Sequence, residues 1–241
     1  MAILVCASTG RELAALAPAL FPDPDKVPEM TPMLVETKQR RLIFINTGVG
    51  PLNAALAAGL ALGLTFDKDK NAPGVGAILC AGLAGAYDLE KNPLRSLWLV
   101  KEEIWPEYGL NDGSDVTARA FSFPLWKRDE EDVYDRISLN GASALTGKAD
   151  EEGKPWPSCK SVTVAGVSAS FARREKLYNK YGTELENMEG FAIAYAAARA
   201  EIPRVEVRAV SNRIGPRSKH EKDFDGALRA LGKILPTLNL I

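Results

Sequence analysis

The stretch AILVCASTGRELAALAPAL, residues 2–20, decides how the chain is read. It opens with six uninterrupted apolar residues, the composition of a strand covered on both faces, and Leu13, Leu16 and Leu20 then recur at helical spacing. The unit is a strand, a turn and a helix. Strands buried on both faces belong to α/β folds, in which helices pack on the two sides of a parallel or mixed sheet.

Outward from this unit the same grammar repeats. MLVETK (33–38) and RLIFINT (41–47), separated by Gln39 and Arg40, read as a hairpin or two adjoining strands. LNAALAAGLALGL (52–64) reads as an alanine-rich helix whose small side chains permit close approach to a sheet or to a partner subunit. VGAILCA (75–81) is a third buried strand running into the turn segment GLAGAYD, and SLWLVKEEI (96–104) is a fourth. From about Pro106 to Pro157 the chain is polar and rich in Gly, Asp, Lys and Pro, which predicts surface loops holding at most a short helix. Order returns with CKSVTVAGVSAS (159–170) as a strand and FARREKLYNKY (171–181) as a helix ended by Gly182. ELENMEGFAIAYAAARAEI (184–202) is a short strand entering a small-residue helix, RVEVRAVSN (204–212) a strand, and FDGALRALGKILPTL (224–238) an amphipathic helix. No internal repeat divides the chain, and residues 1–241 read as one domain with a loop-rich insertion at about 106–157.

Composition narrows the function classes. Thirty Lys and Arg against 31 Asp and Glu leave a net charge of -1, which attracts no polyanion, so a small molecule rather than nucleic acid is the expected partner. The apolar run Met1 to Ala7 is strand-sized rather than signal-sized, and the expectation is a cytoplasmic protein without a membrane partner. Cys6, Cys80 and Cys159 are odd in number and widely spaced, which predicts buried reduced thiols and neither a disulfide framework nor a zinc site. A single histidine, His220, excludes any site needing two imidazoles.

Ligands of α/β folds sit at the carboxyl ends of the strands. Four segments gather there: STGRE (8–12), AGLAGAY (81–87), ENMEGFA (186–192) and SNRIGPR (211–217). On residues alone each has an ordinary alternative. Glu12 can be a solvated glutamate favoured by the helix dipole, Glu189 a helix-start carboxylate, Asn212 a turn residue, and the glycines a tight turn.

The combination of TGVGPLNAA (47–55), CAGLAGAYD (80–88), ENMEGFAIA (186–194) and VRAVSN (207–212) resembles the purine nucleoside phosphorylase and nucleosidase superfamily, over most of the chain outside the middle loops. The resemblance implies a three-layer α/β/α sandwich around a central mixed sheet, cleavage of the N-glycosidic bond of a purine nucleoside, no metal or organic cofactor, and a homodimer or higher homo-oligomer. It implies that Glu12 activates water as a general base. It also implies that Glu189 accepts from the ribose 2′ and 3′ hydroxyls, that Met188 packs under the sugar, and that Ala84 and Gly85 bring backbone amides to the ligand; Glu186 is a weaker candidate beside them. Asn212 stands where the adenine-cleaving members carry an aspartate that protonates N7. An amide is no acid near neutral pH, but it can donate to the O6 and N7 acceptors of a 6-oxopurine, so hypoxanthine is the expected leaving base. In the phosphorylase branches an arginine and a serine build a phosphate pocket; Cys80 and Leu83 stand at or near those places, so water is the expected nucleophile. Ser170 as a lining of the purine pocket and Phe224 as a stacking ring carry less weight, as do Arg213, Arg217 and Lys219 as partners for a substrate carboxylate. A methylthioadenosine/S-adenosylhomocysteine-type nucleosidase, a purine nucleoside phosphorylase and a nucleoside-binding module without catalysis are the alternatives.

Overall fold

A computed structural model describes residues 1–66, 74–120, 122–127, 132–139, 141, 145, 156–216 and 218–241. The opening unit is as read: β1 (Ala2–Ala7) enters α1 (Gly10–Leu16), with Thr9 capping the helix by accepting from the Glu12 backbone N–H. Along β1, Ile3, Val5 and Ala7 face one apolar cluster while Ala2, Leu4 and Cys6 face another. This explains the unbroken apolar run: each face of the strand has its own helical layer to bury against.

The hairpin forms as β2 (Met33–Glu36) and β3 (Arg41–Asn46), paired antiparallel. The alanine-rich helix is α2 (Pro51–Phe66), followed by β4 (Val75–Ala86) and β5 (Leu97–Ile104). The middle region holds a short ribbon, β6 (Leu110–Asn111) with β7 (Val116–Thr117), and a strand, β8 (Arg136–Ser138), that pairs with β5. Loops alone were too plain an expectation there: Ile137 is buried, so one segment of the insertion extends the main sheet. The rest of the chain supplies β9 (Ser158–Thr163), α3 (Phe171–Tyr181), β10 (Leu185–Asn187), α4 (Gly190–Arg199), β11 (Arg204–Arg213), α5 (Phe224–Leu231) and α6 (Ile234–Thr237). Gly182 ends α3 in the left-handed conformation, φ 59°. The last two helices take the place of the single helix expected over 224–238. Pro236 has no N–H to donate to Gly232, so a continuous helix would lose a bond there.

The sheet runs β10-β9-β5-β11-β4-β1-β3-β2, with parallel and antiparallel neighbours. Helices α1 and α5 cover one face and α2 and α4 the other, giving the three-layer α/β/α arrangement around a mixed sheet. One feature departs from an open sheet. β10 also pairs with β4, so β4, β11, β5, β9 and β10 close into a ring. For that reason β4 continues as a strand through Ala86, where the sequence predicts a glycine turn after Ala81. Small residues make the closure possible: a Cβ on Gly85 would lie 2.8 Å from Ile214 Cγ1.

Candidate active site

The ring gathers all four sequence segments around the far half of β4. Glu12, in the first turn of α1, is 4% exposed rather than solvated. Its Oε1 accepts from the Leu83 backbone N–H at 2.8 Å, and its Oε2 accepts from the hydroxyls of Ser8 at 2.5 Å and Thr9 at 2.9 Å. Three of about four acceptor positions on the carboxylate are thereby used, which fixes its direction and leaves room for one more donor. The glycine segment therefore presents the Leu83 amide to Glu12, while the Ala84 carbonyl lies 3.2 Å from Ser211 Oγ.

Glu189 precedes α4 and is also buried. It accepts from the Gly50 N–H at 3.1 Å and pairs with Arg208 Nη1 at 3.4 Å. Burial pushes its carboxyl above the ordinary glutamate range and the nearby Glu12 adds to this, with Arg208 opposing. Met188, half-buried, lies between Glu189 and Asn187 in the chain.

Arg208 is the residue sequence reasoning passed over. Its guanidinium is 1% exposed and all five of its N–H donors are engaged. Nε meets Glu206 Oε1 at 2.7 Å; Nη1 reaches the Leu83 carbonyl and Glu189, each at 3.4 Å; Nη2 reaches Cys80 Sγ at 3.3 Å and Asn187 Oδ1 at 3.1 Å. A Cβ on Gly82 would lie 2.7 Å from Arg208 Nη1 and 3.0 Å from Glu12 Oε1, so only glycine lets the cation and this carboxylate share the spot. Asn187 ties the network to the opposite strands, donating to Glu103 Oε1 at 2.6 Å and to Ser161 Oγ at 2.7 Å. Burial and the adjacent Glu206 drive the Glu103 carboxyl far above the usual range. Glu206 Oε2 has no hydrogen-bond partner among the described residues. The signal was present in RVEVRAV: Glu206 and Arg208 alternate with Val205, Val207 and Ala209, and charges on one face of a doubly covered strand must pair.

Asn212 lies at the end of β11, on the wall of a cavity of about 190 Å³ shared with Gly85, Val167, Ser168, Glu186 and Phe224. Its Oδ1 accepts from Ser211 Oγ at 2.9 Å and its Nδ2 donates to the Arg213 carbonyl at 2.9 Å, which leaves one amide hydrogen for a ligand. Phe224, 45% exposed, offers a ring to the same cavity. Ser170 sits elsewhere: its hydroxyl caps α3 by accepting from the Arg173 N–H, and the serines lining the cavity are Ser168, two residues earlier, and Ser218. Glu186 lines the same cavity as Asn212, where it accepts from the Ser168 N–H at 2.8 Å and the Ser168 hydroxyl at 2.6 Å. Burial raises its carboxyl and the Ser168 bonds pull it back. Arg213 borders the cavity but is held by Glu221 at 2.5 Å; Lys219 is exposed, and Arg217 falls outside the described residues. Among the described residues no group of His, Cys, Asp and Glu could hold a metal ion, and all three cysteines are buried thiols, Cys6 pushed up to about 12 by burial. A larger cleft of about 310 Å³ is lined by Arg119, Tyr134, Arg136, Ala198 and Arg204 and by no residue of the four segments.

The chain is similar to known proteins in sequence and in fold. Residues 2–235 match the phosphorylase superfamily. A futalosine hydrolase of Thermus thermophilus is 31% identical over 197 residues, 81% of this chain and 80% of that protein. The chain belongs to the futalosine hydrolase family of the phosphorylase superfamily. Solved structures of that superfamily share its fold. The 5′-methylthioadenosine/S-adenosylhomocysteine nucleosidase of Helicobacter pylori, crystallised with butyl-thio-DADMe-Immucillin-A, superposes with a TM-score of 0.73 at 16% identity, over 99% of this chain and 97% of that one. The native futalosine hydrolase of H. pylori strain 26695 gives 0.72 at 16% identity over the same shares.

Proposed function

We propose that this member of the futalosine hydrolase family cleaves the N-glycosidic bond of futalosine with water, releasing hypoxanthine and dehypoxanthine futalosine in menaquinone synthesis. The observation that carries the hydrolytic reading is the state of Arg208. The cation nearest the two carboxylates has all five donors engaged and two anionic partners, so it has no donor for a phosphate nucleophile, whereas Glu12 retains an acceptor position for a water.

In this reading Glu12 takes the proton of the attacking water, on the face of the sugar opposite the base. Glu189, its charge set by Arg208 and the Gly50 amide, accepts from the ribose hydroxyls and stabilises the electron-poor ribosyl group as the bond breaks. Asn212 donates to the departing hypoxanthine, with Phe224 against its ring. No metal or cofactor enters. The whole chain, residues 1–241, acts as one domain whose middle insertion supplies an edge strand, in the cytoplasm; no described helix is long and apolar enough to cross a membrane.

The Asn212 assignment predicts a change of base. Asn212→Asp should lower kcat/KM for futalosine and raise the relative rate on its 6-amino counterpart, because an ionised carboxylate faces the O6 and N7 lone pairs of hypoxanthine. Competing the two nucleosides in one reaction and separating the released bases measures the ratio; an unchanged ratio removes Asn212 from base selection.

The functional particle in this reading is a homodimer or higher homo-oligomer built on α2. Four of the five alanines of that helix, Ala54, Ala57, Ala58 and Ala61, face the protein interior and supply close packing to the sheet, while Ala55 is exposed. Outward, Leu52, Leu56 and Leu60 repeat every four residues at 86%, 56% and 43% exposure. A second copy of the chain covers this stripe, and α2 starts next to Gly50, whose amide holds Glu189. Leu56→Glu is expected to shift the protein toward monomer in sedimentation velocity and to lower activity with it. A variant that sediments like the wild type would place the interface elsewhere.

A further inference from the structure

Two carboxyls of the buried network have no part in the reaction described above. Glu103 of β5 and Glu206 of β11 are both fully buried, and both border the backbone of Gly190 at the start of α4. A Cβ on Gly190 would lie 2.4 Å from Glu206 Oε1, 2.6 Å from Glu206 Oε2 and 2.6 Å from Glu103 Oε1, so the missing side chain is what lets the two groups meet. Their hydrogen bonds are short by one proton. Glu103 accepts from Thr163 Oγ1 and from Asn187 Nδ2, each at 2.6 Å, and Glu206 Oε1 accepts from Arg208 Nε at 2.7 Å, but Glu206 Oε2 has no donor among the described residues. Ionised carboxylates only accept, so two of them side by side cannot satisfy each other.

Charge points the same way. Arg208 of β11 is the cation facing the pair, and it also serves Glu189. Cys80 of β4 and Cys159 of β9 are the other titratable groups nearby, and burial keeps both as thiols. β10 and α4 bring up the uncharged Asn187 and Gly190. With both carboxyls ionised, one cation would answer three anions where water is excluded; a single proton removes the repulsion within the pair.

We infer that Glu103 and Glu206 hold one proton between Glu103 Oε1 and Glu206 Oε2, and that this pair is the positioning element that sets Arg208 against Glu189. The proton belongs to the pair rather than to either residue. Glu206 Oε1 holds Arg208 Nε, and because a guanidinium is planar and rigid this also fixes Nη1, 3.4 Å from Glu189. Glu103 holds Asn187 Nδ2, while Asn187 Oδ1 accepts from the backbone N–H groups of Glu189 at 2.9 Å and Gly190 at 2.7 Å. The pair therefore steadies both the cation and the turn that carries Glu189. The consequence for turnover rests on the role given to Glu189 under the hydrolytic reading, whereas the shared proton does not.

Infrared spectroscopy of the full-length protein in heavy water at neutral pH reads the proton directly. The wild type should show the C=O stretch of a buried protonated carboxyl, and E206Q should lack it, because the new amide gives Glu103 an N–H in place of the proton. That exchange leaves the net charge of the pair unchanged, so E206Q should keep kcat for base release from futalosine within a few-fold of the wild type. E206L removes the acceptor of Arg208 Nε and should lower kcat about tenfold or more, the effect of a displaced charge, while calorimetric affinity for hypoxanthine holds. A merely structural loss would lower that affinity and the melting temperature along with kcat. No acid band in the wild type, or the same band in E206Q, would overturn the shared proton. An E206L protein with wild-type kcat, or an E206Q protein as impaired as E206L, would overturn the positioning role; if E206L does not fold, the band and the turnover of E206Q decide. A wild type that shows the band but leaves futalosine intact contradicts the proposed reaction and not the shared proton.

Discussion

Glu12→Gln is expected to lose turnover by about 10²-fold or more while ligand affinity stays within a few-fold of the wild type. The substitution keeps shape and removes basicity. The amide oxygen of the variant side chain would still accept from the Leu83 N–H, which now lies 2.8 Å from Glu12 Oε1, and the Ser8 and Thr9 hydroxyls can rotate to accept from the new amide nitrogen. Neither α1 nor the ring of strands should notice the change, so a loss of activity reports chemistry rather than folding. Single-turnover release of base, set beside calorimetric affinity for hypoxanthine, separates the two terms. Near-normal turnover would remove Glu12 from the mechanism, and an equal loss in binding and rate would mean that it only shapes the site.

Arg208→Met should be the most damaging change to stability. The arginine is 1% exposed and matches two buried carboxylates, so its removal takes from Glu206 the donor at its Oε1 and leaves Glu189 with the Gly50 N–H but no balancing cation. Breaking a buried pair from one side costs about 3–5 kcal/mol, a large part of the stability of a domain of ordinary size. Urea denaturation measures it; a loss below about 1 kcal/mol would contradict the central place given to this residue. Adding Glu206→Gln to Arg208→Met should recover part of the loss, since the uncompensated charge, and not the missing contact, is the main cost.

These two residues show what could be read from sequence and what could not. Local pattern was enough for β1, because six apolar residues leave no solvent face, and for α3, where Gly182 marks the stop. Glu12, Glu189 and Asn212 were legible only through their motif context, since each alone suits an exposed helix start or a turn. The closing of β10 onto β4 was not legible. It depends on the absence of a side chain at Gly85 and on pairing between residues about a hundred positions apart, which no periodicity records. The same closure carries Glu186 to the cavity that Asn212 lines, and Ser170 is the cap of α3. Arg208 lay in plain view in RVEVRAV, but its role follows only once the strand is known to be covered on both faces. The α2 leucines were hidden by the alanines beside them, which attract attention as small residues and, Ala55 apart, prove to be the inward face.

Release of base from futalosine, assayed by chromatography with and without added phosphate and beside methylthioadenosine as a second substrate, tests the central claim most directly. The account predicts hypoxanthine from futalosine at the same rate in either buffer and little or no adenine from methylthioadenosine; adenine as the main product, a strict need for phosphate, or no release even at stoichiometric enzyme would contradict it.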